Sequence, residues 1–361
     1  ARTRPALRRS RRCRNIVTKC KDTGKFVQCG HQRRYNPDYI HAVQNYIDGR
    51  AGRVQYIEGQ WHRYGDWKRP MPMKNDPNNP GKTIPYVLSP AEAALIPDFN
   101  KMVNWRIYQQ YSAGLISELA THHIEVVNWL LGTPPSRVMA TGGTDFWKDD
   151  RETSDNIVLV YEYEMRRGKS RHITPSPKAS VGQIDSLQLL KPYTVRFTWT
   201  GTLQSSLKSE GLLLIGDQGT FEMHELNFDG SGRGSWFQAE PEKIWIDPAT
   251  DKETKDETII SMIKATGQSQ KYSKLVDKPQ AHFDTELEED RKKTNPDIRQ
   301  FAAFAESVKT GTPPRTNQMC GLMASICDIA AHEAEVKKEA VAIDPAWYTF
   351  DFETPDPFII S

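Results

Sequence analysis

The 361-residue sequence lacks most of the features that would place it outside the ordinary globular proteins. No apolar run reaches the roughly 18 residues that a membrane-spanning helix needs, so we expect no membrane partner. The five cysteines are an odd number and include no Cys-x-x-Cys pair, which argues against a disulfide framework and against a zinc knuckle. The arginine-rich start is not followed by an apolar secretory core, and we therefore expect a protein of the reducing cytoplasm.

The formal net charge is only +2, but the charge is unevenly distributed along the chain. Residues 1–34 contain 12 Lys or Arg and the single acid Asp22, a balance of +11, which leaves −9 for the remainder. A basic arm can bind nucleic acid, although a block of like charge is more often a solvated tail. Because neither a recognition helix nor an interleaved aromatic pattern accompanies the arm, we expect no nucleic-acid partner.

Hydrophobic periodicity predicts an α/β start to the chain. The spacing favours a helix over Cys13–Thr23 and a short buried strand over Lys25–Gly30. A second helix, Asp38–Asp48, and a strand, Val54–Trp61, follow. The proline-rich stretch from His62 to Asn104 is then predicted as a long functional loop, since loops of that length are rare in compact domains. Within it, Ser89-Pro90 with Glu92 can begin a short helix, through a side-chain cap followed by proline in the first turn.

The second half predicts an α+β arrangement, in which a large, mostly antiparallel, open-faced sheet is flanked by helices. The strand-like runs are Arg137–Thr141, Asn156–Tyr163, Thr194–Thr200, Gly211–Ile215, Thr220–Met223 and Lys243–Ile246. Gly216-Asp217-Gln218-Gly219 is a hairpin signal, and Asp247–Asn295 is predicted as a polar excursion. Helices are expected over Asp297–Thr310 and Gln318–Val336.

The most informative stretch lies between Asn104 and Gly132. At about 100° per residue, a helix here places Glu118, His122 and Glu125 within an arc of roughly 60°. Carboxylate and imidazole groups so placed can hold and move a proton. The same spacing also fits ordinary i,i+4 pairing on a helix face, or one histidine and two carboxylates around a divalent metal. No second paired motif completes a metal site, so we expect none.

Several motifs of this stretch together resemble one family. They are Trp105-Arg106, Ser112-Ala113-Gly114, Glu118-Leu119-Ala120-Thr121-His122-His123-Ile124-Glu125 and Trp129-Leu130-Leu131-Gly132. This order resembles the active-site helix of the Gfo/Idh/MocA oxidoreductases, whose pattern is W-R, a glycine-rich turn, D-x-G-x-H-x-x-D and W-x-L-G. Both aspartates are glutamates here. The resemblance extends over nearly the whole chain, through Gly30–Pro37, Gly211–Glu222 and Phe301–Arg315.

The resemblance implies a division into three parts. Residues 1–36 would be the end of a Rossmann dinucleotide-binding domain, 37–295 the substrate and oligomerisation sheet domain, and 296–361 C-terminal helices that pack back on the Rossmann side. The glycine motif G-x-G-x-x-G, which brings backbone close to a pyrophosphate, does not occur near the start. The family's E-K-P motif would fall on Thr3-Arg4-Pro5, where Arg4 replaces the lysine. We therefore expect most of the Rossmann domain to be missing.

The activity that the resemblance implies is transfer of a hydride between NAD or NADP and a sugar, glycoside or polyol. His122 would be the acid/base group, Glu118 would position it, and His123 would face away. The expected cofactor-binding residues are Arg33, Arg34, Trp105 and Arg106. The expected substrate-binding residues are Tyr35, Glu125 and Trp67. Trp67, like Trp61, could stack on a sugar ring or simply pack in the core.

Two alternatives remain open at this point. The family also includes NAD-dependent glycosidases, so fold alone does not decide the reaction. The chain could also be a catalytically silent homologue that acts as an assembly or binding module. In either case the resemblance implies a homo-oligomer formed through the open sheet.

Overall fold

The computed structural model describes residues 5–166, 170–171, 191–224, 236–239, 243–247, 252–254, 271–272 and 295–358. Its helices are α1 (Pro5–Thr23), α2 (Pro37–Ile47), α3 (Pro90–Leu95), α4 (Phe99–Val103), α5 (Thr121–Leu131), α6 (Pro296–Thr310) and α7 (Gln318–Lys337). Short 3₁₀ turns cover Gln32–Tyr35, Trp105–Ile107 and Pro345–Trp347, and a π-helical turn covers Ile116–Ala120.

A sheet of eight strands forms the centre of the described structure. In spatial order they are β13 (Val341–Ala342), β4 (Arg137–Gly143), β5 (Asn156–Met165), β6 (Tyr193–Thr202), β1 (Val54–His62), β7 (Glu210–Gly216), β8 (Gly219–Met223) and β9 (Trp236–Ala239). Strands β1 and β6 run parallel, and the other paired neighbours are antiparallel. The remaining strands are β2 (Met73–Asn75), β3 (Thr83–Pro85), β10 (Lys243–Asp247), β11 (Lys252–Thr254) and β12 (Lys271–Tyr272).

One face of this sheet is covered and the other is open. Along β5, alternate residues such as Leu159, Tyr161 and Tyr163 are fully buried, as the period of two in a strand requires. Helices α5 and α7 pack on this face. On the opposite face, Met139 and Val158 remain exposed. The predicted fold class, α/β with a large and mostly antiparallel open-faced sheet, is therefore confirmed.

The helix and hairpin predictions are confirmed in the second half and at α2, while the first element differs at its start. Helix α1 begins at Pro5 rather than Cys13 and packs against α7, with Val17 buried between them. Strands β7 and β8 form the predicted hairpin. Most of the predicted excursion at 247–295 lies outside the described residues. The described residues contain no helix long and apolar enough to cross a membrane.

The strand predicted at Lys25–Gly30 is wrong. This segment is irregular, because no described strand runs alongside to complete a ladder of hydrogen bonds. Its backbone is held by isolated contacts instead: the Cys29 amide donates to the Thr316 carbonyl at 2.7 Å, and Gln300 Nε2 donates to the Cys29 carbonyl at 2.6 Å. An apolar run is compatible with a strand, but only a neighbouring strand makes it one.

The predicted long loop between β1 and residue 104 contains regular structure. Strands β2 and β3 form a small hairpin, and α3 and α4 follow. The helix predicted from Ser89, Pro90 and Glu92 is confirmed, since Ser89 and Glu92 form a reciprocal capping box around a proline in the first turn.

Candidate active site

A cavity of about 530 Å³ opens where β1, the segment after it and the π-helical turn meet. It is lined by Gln32, Trp61, Arg63, Trp67, Lys68, Arg69, Arg106, Glu118, Leu119 and His122. Four predicted site residues therefore line one cavity: His122, Glu118, Arg106 and Trp67. The structure places the other five elsewhere.

The π-helical turn positions Glu118 at this cavity. The Thr121 amide donates to the carbonyl of Ile116, five residues back, and this bond defines the wider turn. The chain enters the turn through Gly114, whose φ of +58° is readily adopted only by glycine. Ser112 stabilises the start of the turn, because its hydroxyl accepts a hydrogen bond from the Gly114 amide and donates one to Glu118 Oε1, both at 3.0 Å. Glu118 is thus fixed as a hydrogen-bonded carboxylate.

Arg106 completes the environment of Glu118. Its Nε donates to Glu118 Oε2 at 3.0 Å, and its guanidinium lies 4.4 Å from the ring centre of Trp105. Arg106 therefore stands on the cavity wall with its charge balanced by Glu118. Trp105 supports Arg106 and does not itself line the cavity.

His122 lies between two aromatic side chains. Its ring centre is 5.8 Å from Trp61 and 6.4 Å from His31, the latter in an edge-on arrangement. Its Nδ1 is buried and has no hydrogen-bond partner among the described residues. Burial, followed by the nearby positive charge of Arg33, lowers the pKa of His122 well below its usual 6.5. The imidazole is therefore neutral near pH 7 and can accept a proton.

Glu125 does not face the cavity, although it shares a helix with Glu118 and His122. Its Oε1 accepts from Arg34 Nε at 2.5 Å, and both side chains are almost completely buried. Arg34 also lies 5.1 Å from the ring centre of Trp129, on the same helix. Glu125 thus anchors the 3₁₀ turn that carries Arg34 to the middle of α5.

Arg33 is committed to a second buried network. Glu210 Oε1 accepts from Arg33 Nη2 at 3.1 Å and from the Tyr39 hydroxyl at 3.0 Å, and it lies 2.6 Å from His123 Nε2. Trp199 Nε1 donates to the other ring nitrogen of His123 at 3.0 Å. His123 faces away from the cavity, as expected.

Tyr35 is also buried away from the cavity. Its hydroxyl accepts from Gln28 Nε2 at 3.0 Å and lies 3.2 Å from Thr316 Oγ1. The predicted roles of Tyr35 and Glu125 in substrate binding, and of Arg33 and Arg34 in cofactor binding, thus have no support from the cavity and stay predictions. Arg4 lies outside the described residues.

The sequence did not single out Gln32, Arg63, Lys68 or Arg69, which also line the cavity. The last three belong to the proline-rich segment, whose length indicated a functional loop without indicating which side chains it presents. No group of three or more His, Cys, Asp or Glu that could hold a metal ion occurs in the described part of the chain.

Residues 92–343 match a family model described as the C-terminal alpha/beta domain of an oxidoreductase family. Among curated proteins, YteT of Bacillus subtilis (strain 168) is 25% identical over 139 residues, which span 38% of this chain and 25% of that protein.

Two solved structures share the fold at low identity. The WlbA dehydrogenase from Bordetella pertussis, in complex with NADH and UDP-GlcNAcA, has a TM-score of 0.54 and 11% identity, covering 93% of this chain and 69% of that one. The aldose-aldose oxidoreductase from Caulobacter crescentus, complexed with glycerol, has a TM-score of 0.52 and 14% identity, covering 92% and 68%.

Proposed function

The chain belongs to the Gfo/Idh/MocA oxidoreductase family, and from this premise we propose that it serves NAD- or NADP-linked oxidation or reduction of a sugar, glycoside or polyol, with His122 as the acid/base group. One observation carries the proposal. A neutral imidazole and a fixed carboxylate, His122 and Glu118, line the same cavity. Solved relatives of the same fold include a dehydrogenase with NADH and a nucleotide sugar and an aldose oxidoreductase with glycerol.

The chemistry needs a group that moves one proton. Oxidising a secondary alcohol removes a proton from oxygen and a hydride from carbon, and a nicotinamide supplies the hydride acceptor when it is bound. His122, which is neutral near pH 7, would take the hydroxyl proton and return it in the reverse direction. Glu118, fixed by Ser112 and Arg106, would accept a hydrogen bond from a neighbouring hydroxyl and orient the ring.

The described residues do not fit a dinucleotide by themselves. Residues 5–36 contain only the glycines Gly24 and Gly30, so this segment holds no glycine-rich turn that could approach a pyrophosphate. Arg33 and Arg34 are both committed to buried carboxylates. For the described residues we therefore propose roles in binding the sugar and moving its proton. A binding measurement decides between NAD and NADP.

The test uses calorimetric binding of a panel of sugars and polyols, followed by NADH or NADPH absorbance with the sugars that bind. We expect at least one to bind and to shift the imidazole NMR signals of His122. The variant His122→Gln should lower the rate about 100-fold or more, because a general base typically contributes at least that factor. His41→Gln, on α2 and outside the cavity, is the matched control. Failure of every sugar to bind, or full turnover by His122→Gln, would contradict the proposal.

A second candidate is a catalytically silent assembly module, favoured by the open sheet face. Under either candidate we propose a homo-oligomer through this face, which includes the exposed Val158. Light scattering should show a dimer or larger for the native chain and for Leu95→Glu, which alters an exposed apolar residue outside the sheet. Val158→Glu should dissociate it. A monomeric native chain would refute the assembly.

A further inference from the structure

We propose that the substrate carries an anionic group, a carboxylate or a phosphate on the sugar, and that Arg63 and Arg69 bind it. This inference rests on the proposed function, whose substrate class it narrows. It starts from the charge of the cavity. Four basic side chains line it, Arg63, Lys68, Arg69 and Arg106, against the single acid Glu118.

Two of these four cations are already paired within the protein. Arg106 is bound to Glu118. The ammonium of Lys68 is bound to Asp150. Neither Arg63 nor Arg69 forms an ion pair with an acid in the described part of the chain, and both are exposed. Two guanidinium groups at one cavity therefore remain available to an anion from outside.

The turn that presents Lys68 and Arg69 is held in place by hydrogen bonds to other parts of the chain. Asp66 Oδ1 accepts from the Lys68 amide at 3.0 Å, and the Asp66 carbonyl accepts from Arg151 Nη2 at 2.6 Å. The Arg69 amide donates to Asn104 Oδ1 at 2.7 Å. Each end of the turn is thus tied to a different part of the chain.

The backbone at Trp67 adds an independent sign of function. Its φ is +61°, a region that bulky side chains rarely adopt. Such outliers persist only where surrounding contacts impose them, and they cluster at ligand-binding positions. Here the turn holds the Trp67 ring at the cavity wall between Arg63 and Arg69 in the sequence.

The arrangement suits a ligand with a ring and an anionic substituent. Arg63 lies 5.2 Å from the ring centre of Trp61, which in turn contacts His122. A sugar ring against Trp61 and Trp67 would bring its hydroxyl to His122 and its substituent to the guanidinium groups. The planar guanidinium fork matches a carboxylate or a phosphate and makes charge-assisted hydrogen bonds to it. A neutral polyol would leave both arginines without use.

The test is isothermal calorimetry with D-glucuronate, D-glucose 6-phosphate and D-glucose at constant pH and ionic strength, with NADH and NADPH in separate titrations. We expect at least one of the two anionic sugars to bind about tenfold or more tightly than glucose, and the stronger of the two identifies carboxylate or phosphate. Arg63→Gln and Arg69→Gln should each reduce that affinity about tenfold, since hydrogen bonds to charged groups are worth at least this factor. Arg50→Gln, at the end of α2 and outside the cavity, should not.

Three results would overturn the inference. The first is equal affinity for glucose and for both anionic sugars. The second is a preference for an anionic sugar that persists in both arginine variants. The third is that these variants lose only dinucleotide binding, which would assign the arginines to the cofactor. Turnover of neutral sugars without preference would leave the proposed function standing while this inference fails. Arginine-dependent binding of an anionic sugar without any turnover would do the reverse.

Discussion

Breaking the buried pair between Arg34 and Glu125 should cost more stability than any single change at the cavity surface. The sequence pattern suggested Glu125 as a substrate residue, whereas the structure gives it a charged partner 91 residues away in the chain. The informative change is Glu125→Gln, which keeps the shape of the side chain and removes its charge.

The magnitude follows from burial. Side-chain exposure is 1% for Arg34 and 2% for Glu125, so neither charge is solvated. Burial lowers the pKa of Arg34, but the adjacent Glu125 carboxylate more than offsets this and raises it. Arginine cannot give up its proton to escape the loss of its partner. An uncompensated buried charge of this kind costs about 3–5 kcal/mol of unfolding free energy.

Urea unfolding followed by tryptophan fluorescence measures this cost as a shift of the midpoint at constant slope. The double variant Arg34→Met/Glu125→Met removes both charges and should be clearly less destabilised than Glu125→Gln. Arg137→Gln breaks a pair whose arginine is half exposed, and should leave the unfolding midpoint nearly unchanged. The reasoning fails if Glu125→Gln stays within about 1 kcal/mol of the native protein, or if the double variant is equally unstable. If Glu125→Gln weakened sugar binding and left stability unchanged, Glu125 would instead be a substrate-binding residue.

Three further predictions concern single positions. Gly114→Ala should destabilise the fold by about 1–3 kcal/mol in thermal unfolding, because the new Cβ would lie 2.7 Å from Thr153 Cβ at a φ of +58°. Gly24→Ala, which has a similar φ but open space around the new Cβ, should cost less. Equal losses of stability in the two variants would contradict the steric argument. The His122 imidazole should stay neutral as the pH falls through 6.5, and its own contribution to stability should decline below that pH because the unfolded chain takes up the proton first; an NMR titration midpoint at or above 6.5 would refute this. Cys320, whose pKa burial raises to about 12, should react with iodoacetamide far more slowly in the folded protein than in urea, and comparable rates would show that the thiol is accessible.

Local patterns predicted the elements that need no distant partner to be specified. The spacing of Glu118 and His122 predicted both side chains on one face, and both line one cavity although Glu118 lies in the π-helical turn that precedes α5. The capping box of Ser89 and Glu92 is equally local. The hairpin at Asp217 also follows from its own four residues.

Other features depend on residues that the local pattern does not contain. Glu125 satisfied the helical spacing, but the position of Arg34 makes it a buried ion-pair partner instead of a cavity residue. Lys25–Gly30 had the composition of a strand and lacks a neighbouring strand among the described residues. The position of Arg69 at the cavity depends on Asn104 and Arg151, which hold an irregular turn that no periodicity describes.

The π-helical turn at Ile116–Ala120 makes this site sensitive to counting. A π turn closes over five residues where an α turn closes over four, so it holds one residue more. Deleting a single residue from it would let α-helical bonding resume and would rotate Ser112 and Gly114 by about 100° relative to His122. The Glu118 carboxylate would then lose its hydrogen bond to Ser112, although both side chains were still present. When this site is transferred to another protein by alignment, a gap of one residue in this turn should therefore be treated as a change in the site itself.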